Sequence, residues 1–251
     1  MSYVYTNIQL FPGNCGLNVK IPRMSGFLYR LACLLIITSV VCTGFAYAES
    51  WEFQPAEFKG GYAKWEQRIK FPKSKIEDVV VVRNAAYVSK NGSAKLYVYV
   101  DSSDNVISRR FERAVQRGLR KLKFVPARVN GEKKRVWLRF SVIFDRSSGK
   151  EVIKIIPNSL YDIDAHGISY FAPQRYNTPR FPRACRANSF LWIAAKIDNK
   201  GRAIKASFVS GRASEECKRQ AVDNILNSSY IPARQNGEYV TGTYAELYDC
   251  R

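Results

Sequence analysis

Residues 124–132 read FVPARVNGE, and residues 230–238 read YIPARQNGE. Six of the nine positions are identical, and the Phe/Tyr and Val/Ile exchanges keep shape and character. Working outward, three more anchors recur in order. Ala114-Val115 returns as Ala221-Val222, Asn91-Gly92 as Lys200-Gly201, and Phe71-Pro72 as Phe181-Pro182. The offsets drift from 110 at the Phe-Pro pair through 109 and 107 to 106 at the nine-residue segment. Ordered anchors with drifting spacing mark an internal duplication.

Each copy carries the same pattern. In the first, residues 78–89 form an apolar, β-rich run, and Asn91-Gly92 is a hairpin turn signal. Residues 94–101 then alternate, with Leu96, Val98 and Val100 on one face. Residues 106–123 are amphipathic at helical spacing, with Ile107, Phe111, Ala114, Val115, Leu119 and Leu122 as the apolar stripe. Pro126 stops that helix, Asn130-Gly131 turns the chain, and residues 134–144 form a last strand. In the second copy the strands fall at 190–198 and 202–210, and the helix at 214–227 starts at an N-cap Ser214 with Glu215-Glu216 in its first turn. The last strand is 238–248. The fold class is therefore α+β, two tandem β-β-α-β units, each a three-stranded antiparallel sheet with one helix on it. The boundaries fall at 76–146 and 175–251. An aromatic lead at 49–75 should pack on the first unit. Residues 147–174 read as a linker, in which 151–156 could add one strand and 158–173 is irregular.

The N-terminus reads as a targeting segment. Residues 24–48 hold Met24, the lone charge Arg30, an apolar run from 31 to 41 and Ala46-Tyr47-Ala48 before Glu49, the layout of a secretory signal peptide. The alternative is an uncleaved inner-membrane anchor over 31–48. Translation from Met24 would make residues 1–23 a misassigned extension. The chain is strongly basic, with 40 Lys and Arg against 21 Asp and Glu and a formal charge of +19. Such a balance points to anionic surroundings, and export argues against nucleic acid. The expected location is periplasmic.

The anchors resemble the C-terminal domain of the TonB family, in two tandem copies. The second copy is the better match: Phe181-Pro182, Gly201, Ala221-Val222, Tyr230 to Gly237 and the strand at 238–248. The resemblance implies a periplasmic domain that binds the plug peptide of outer-membrane receptors by adding it as a strand beside its last strand. The family's energy transducers also need a permanent anchor and a proline-rich spacer. Here the apolar segment reads as cleaved and no such spacer follows it. What remains is a non-enzymatic module for a protein partner in the cell envelope, an outer-membrane receptor among the candidates. An anchored energy transducer, or an envelope structural protein holding anionic polymer or lipid, are the alternatives.

The expected partner-binding edge strand comprises Tyr239, Val240, Thr241, Thr243, Tyr244 and Glu246. A free edge accepts a partner strand, but the two units could also use these edges on each other. Both readings stand. A basic face is formed by Arg109, Arg113, Arg117, Arg120, Lys133, Lys134 and Arg135. Between Arg109 and Arg139 there are twelve Lys or Arg against two Glu. It is either a contact surface or, the favoured reading, a solvated face. The repeat-motif residues Pro126, Arg128, Asn130, Gly131, Pro232, Arg234, Asn236 and Gly237 read as turn chemistry, with Arg128 and Arg234 solvated or at helix ends and pairing with an acid as the alternative. Of Cys185, Cys217 and Cys250, the first two are the expected disulfide from their positions before the first strand and in the first helical turn. No cofactor or metal is expected: cysteine spacings of 32 and 33 fit no zinc pattern. His166, the single histidine, sits in a polar turn. With no serine elbow or phosphate-binding glycine loop beside it, no catalytic constellation emerges.

Overall fold

The computed structural model describes residues 3–8, 17–22, 52–73, 79–100, 105–179, 182–185 and 189–249. The expected signal segment 24–48 with its cleavage after Ala48, and Phe181 and Cys250, lie outside them. The chain forms two compact units, Met1–Ser50 and Trp51–Arg251. In the first, β1 (Tyr3–Ile8) and β2 (Leu17–Pro22) pair antiparallel. The second unit is mixed α+β, rich in strands and poor in helix, with several antiparallel sheets. Among the described residues no helix is long and apolar enough to cross a membrane.

The second unit begins with β3 (Phe53–Gln54), β4 (Glu57–Phe58) and the short helix α1 (Tyr62–Glu66). Next come β5 (Val79–Val88), β6 (Ala94–Val100) and helix α2 (Asn105–Gly118). The short strands β7 (Phe124–Val125), β8 (Arg128–Val129) and β9 (Glu132–Lys133) lead to β10 (Val136–Asp145) and β11 (Val152–Ile156). Helix α3 (Ile163–His166) and β12 (Gln174–Asn177) cross to β13 (Phe190–Ile197) and β14 (Ala203–Arg212). Helix α4 (Glu215–Leu226) precedes β15 (Ser229–Ile231), β16 (Ala233–Gln235), β17 (Glu238–Val240) and β18 (Gly242–Asp249).

The first sheet runs β15-β12-β10-β5-β6, with β11 also on β10. It holds six strands where three were expected. The reason is that β10 does not stop at an open edge. Asp145 Oδ1 accepts from Ser147 N–H at 2.9 Å, tightening a turn that folds β11 back along residues 141–145. Further along, Trp137 of β10 faces Arg175 of β12. On the core face Val82, Ala86, Val88, Val136, Leu138, Phe140, Val142 and Phe144 meet Phe111 and Val115 of α2 and Leu119 just beyond its end. This is the stripe that helical spacing predicts. The helix ends at Gly118, short of the predicted 123, because Leu122 N–H turns back to Leu119 O in a tighter loop. The lead closes this core: β3 pairs with β8, β4 with β7, and Phe53, Phe58 and Trp65 are buried.

The second sheet is β14-β13-β18. Leu191, Ile193, Ala195 and Ile197 pack with Cys217, Ala221 and Ile225 of α4 and with Tyr230, Tyr244 and Tyr248. The Ser214 hydroxyl caps α4 by accepting the Cys217 N–H at 3.2 Å. Asn130-Gly131 and Asn236-Gly237 form the two-residue loops of the β8–β9 and β16–β17 hairpins, all four with positive φ. The other repeated glycines serve a close approach. Gly92 O accepts Phe124 N–H and Gly201 O accepts Tyr230 N–H, at 2.9 and 3.1 Å. A Cβ would stand 2.2 Å from Phe124 O at Gly92 and 2.0 Å from Tyr230 O at Gly201, so no other residue fits.

Three strands are locked by buried charge. Glu246 of β18 receives Arg139 of β10 at 3.4 Å and Arg175 of β12 at 3.1 Å. The three residues are 9%, 6% and 3% exposed. Arg175 also donates to Ser228 Oγ at 2.8 Å and to Asn224, while Tyr244 O–H donates to Glu246. Burial works against the charge on Arg175, but Glu246 together with the hydroxyls of Tyr244, Tyr248 and Tyr230 outweighs it and the guanidinium stays charged. Burial pushes the Tyr230, Tyr244 and Tyr248 hydroxyls above their usual value, with Glu246 adding to the effect.

Two outcomes follow. Glu246→Gln leaves two buried guanidiniums without their carboxylate and should cost about 3–5 kcal/mol in urea unfolding. The raised tyrosine pKa values favour the neutral form in the folded state. Their contribution is therefore complete below the unfolded pKa of 10.0 and lost as pH rises beyond it. Absorbance titration at 295 nm should show these tyrosines ionising only together with alkaline unfolding.

Candidate functional site

The residues predicted as one edge strand are divided. Tyr239 and Val240 belong to β17, where they pair with β16. The Tyr239 hydroxyl donates to Phe53 O, and its ring stands edge-on to Phe53 at 5.6 Å. Thr241 lies between strands, and its carbonyl is 3.0 Å from the His166 ring. Only Thr243, Tyr244 and Glu246 lie in β18. Of these, Tyr244 and Glu246 are buried, so their side chains serve the core and not a partner. Alternation along the strand explains this: Tyr244, Glu246 and Tyr248 share the face that carries α4.

The backbone of β18 is the surface that remains. Among the described strands it pairs only with β13. Thr243, opposite Lys196, sends its N–H to the Asp162 carboxylate, so it points away from β13. In an antiparallel ladder this orientation repeats every second residue. Ala245 and Leu247 therefore also turn their N–H and C=O groups outward, but Ala245 is only 4% exposed, so the accessible position is Leu247. Asp162 sits at φ 57 ahead of α3 and is held by Lys196 Nζ at 3.1 Å. It stops the start of the edge, while the end opens on a cavity of about 410 Å³. Trp137, Tyr97, Arg139, Glu246, Leu247 and Tyr248 are among the residues that line it. Trp137 stacks between Tyr87 and Tyr97, with ring centroids 5.0 and 5.3 Å away. None of Trp137, Arg175 or Asp162 lies in a repeated motif, and no local signal marks them. The fold brings them here from three separate segments.

The opposite edge, β14, suits a partner less well. It exposes Ile204 and Val209, yet its register against β13 shifts twice, and it carries Lys205 and Arg212. Bulges and charges are how natural edges discourage pairing.

The basic face is also divided. Arg113 and Arg117 line a groove together with Arg68, Lys70, Lys73 and Arg110. Arg109 and Arg120 are exposed outside it. Lys133, Lys134 and Arg135 lie around the β9 turn, where Lys134 pairs with Glu132 at 2.6 Å. In the repeat motif, Arg128 donates to Gly131 O at 2.8 Å and closes its own turn. Arg234 departs from the solvated role expected of it. It pairs with Glu57 and lies over the Phe171 ring at 4.6 Å, because the lead segment brings an acid to it that the first copy lacks at that place. Pro126 and Pro232 each sit between two short strands.

Cys185 and Cys217 are at disulfide distance, with Cα atoms 4.8 Å apart, tying the segment before β13 to the first turn of α4. His166 lies in α3, its ring nitrogens 3.0 Å from Gln235 Oε1 and from Thr241 O, a clip between α3 and the β16–β18 segment. Among the described residues no cluster of three or more His, Cys, Asp or Glu side chains could hold a metal. Compared with family models, with curated proteins and with solved structures, the chain finds no match in any of the three.

The basic groove depends on one close approach. A Cβ at Gly118 would stand 2.6 Å from Ile69 Cγ1 and 2.9 Å from Ile69 Cα. Replacing a helical glycine by alanine ordinarily gains about 1 kcal/mol, whereas overpacking costs roughly 1–3 kcal/mol. Gly118→Ala should therefore lower the melting temperature, the opposite of the usual sign.

Proposed function

We propose that Trp51–Arg251 is a TonB-like, non-enzymatic partner-binding module of the periplasm. In this reading it consists of two related β-β-α-β units, at 76–146 and 175–251, that have merged part of their sheets. The paired glycine docking at Gly92 and Gly201 and the paired Asn-Gly hairpins support the duplication. The partner is a protein of the cell envelope, with an outer-membrane receptor as the candidate that the family resemblance suggests. Capture is by strand addition along β18.

One observation carries this reading: the end of β18 is an unpaired edge among the described strands, and it opens on a cavity lined by Trp137 and Tyr97. A peptide added there gains main-chain hydrogen bonds from Leu247, while aromatic rings receive its side chains. The last strand of the first half, β10, is covered by β11 and β12. Among the described strands that of the second half, β18, pairs only with β13, which supports its use for a partner. The Cys185–Cys217 pair supports an oxidising compartment.

Leu247→Pro tests the reading. Leu247 sits at a position whose N–H the β13 ladder does not use, so proline there removes an outward donor and leaves the sheet standing. With wild-type protein and a purified TonB-dependent receptor, the Leu247 amide should become protected from hydrogen exchange. The proline variant, at an unchanged melting temperature, should lose receptor binding. Undiminished binding by that folded variant would refute strand addition at β18.

A further inference from the structure

The lead segment and α2 enclose a groove of about 660 Å³. Arg68, Lys70 and Lys73 line one wall, and Arg110, Arg113 and Arg117 line the other. Phe71, Pro72 and Ala114 supply an apolar floor. No carboxylate is among its described lining residues. The walls are fixed in place. Gly118 lets the chain at Arg68 and Ile69 lie against the helix, Arg110 donates to Lys73 O at 3.1 Å, and Arg68 rests on the Trp65 ring at 5.1 Å.

This charge is not a by-product of the fold. The corresponding helix of the second half, α4, pairs its own cations: Lys218 with Glu215, and Arg219 with Glu216 and Asp223. Elsewhere Arg146, Arg202 and Arg234 each have an acid beside them. None of the six groove cations forms an ion pair with a described carboxylate. Six like charges held around one cavity repel one another, and a bound anion would relieve that repulsion.

We infer that this groove is a binding site for an anion carrying two or more clustered phosphoryl groups. Four of the six cations are arginines, whose planar fork of donors matches phosphate oxygens in pairs. A terminal phosphoryl group brings close to two negative charges and a bridging one about one. A few of them in one place therefore balance the six cations, as singly charged carboxylates spread along a polymer would not. The cavity lies within the roughly 300–1,000 Å³ range of small-molecule sites. The same chemistry comes from a soluble polyphosphate or from a phosphorylated lipid headgroup, and the apolar floor would accept the neck of the latter. The inference is independent of strand capture at β18.

The test compares two double variants of the full chain that remove equal charge from α2 and the turn that follows it. Arg113→Gln/Arg117→Gln alters the groove; Arg109→Gln/Arg120→Gln alters the exposed strip outside it. Tripolyphosphate binding is measured by calorimetry at low salt, with melting temperatures as the control for folding. The wild-type chain should bind tripolyphosphate and melt at a higher temperature with it. The groove pair should weaken binding by about 10-fold or more, on the scale of charge-assisted hydrogen bonds lost. The strip pair should weaken it by about 2-fold at most, through long-range charge alone. Equal weakening by both pairs, or no binding by the folded wild type, overturns the site. Vesicles of phosphatidylcholine with diacylglycerol pyrophosphate, whose headgroup carries two linked phosphoryl groups, identify the source. Vesicle binding that tripolyphosphate displaces and the groove pair abolishes assigns the groove to a lipid headgroup. Tripolyphosphate binding without such vesicle binding assigns it to a soluble ligand.

Discussion

The carboxylate of Glu246, held between Arg139 and Arg175, is the interaction on which the arrangement of the second unit of the chain rests. It joins the last strand of the second sheet to two strands of the first. A buried ion triad contributes little net stability against an apolar alternative, but it strongly disfavours every arrangement that leaves one member alone. Here it sets the position of β18. With Glu246 turned inward towards α4 and Tyr244 donating to it, Leu247 next to it turns its backbone outward. The same constraint that orders the core thus exposes the edge proposed to capture a partner.

A second constraint is backbone proximity. Gly92 and Gly201 each bring a hairpin turn against the strand that follows the helix, closer than any side chain permits. Gly118 does the same for the lead segment against α2. The first two belong to the repeated sequence pattern. The third belongs to the first half alone, and it makes the basic groove. Difference between the halves, as much as repetition, is built from glycine placement.

Electrostatics separates the halves further. In the second half cations meet acids on the same helix or across the sheet. In the first, the α2 arginines face the lead segment's own cations. Such a surface draws anions from solution and is sensitive to salt. The strand edge and the cationic groove offer two recognition chemistries, hydrogen-bonded backbone in one place and clustered charge in the other.

Much was legible in the sequence because it depends on short-range rules. Helical and alternating periodicity located α2, α4 and the long strands, Asn-Gly marked the hairpins, and the positions of Cys185 and Cys217 suggested their proximity. Composition alone announced the basic surface, but not its division: Arg113 and Arg117 fall on the groove side of α2, while Arg109 and Arg120 do not, and that depends on where the lead segment packs. Likewise Tyr244 and Glu246 looked like edge residues and proved to be core. Only the tertiary structure decided that, because Glu246 is matched by arginines more than 70 residues away in the chain. Local patterns determine which elements form. Which faces are buried, which edge stays open and which charges lack a partner are set by contacts between segments that no local pattern connects.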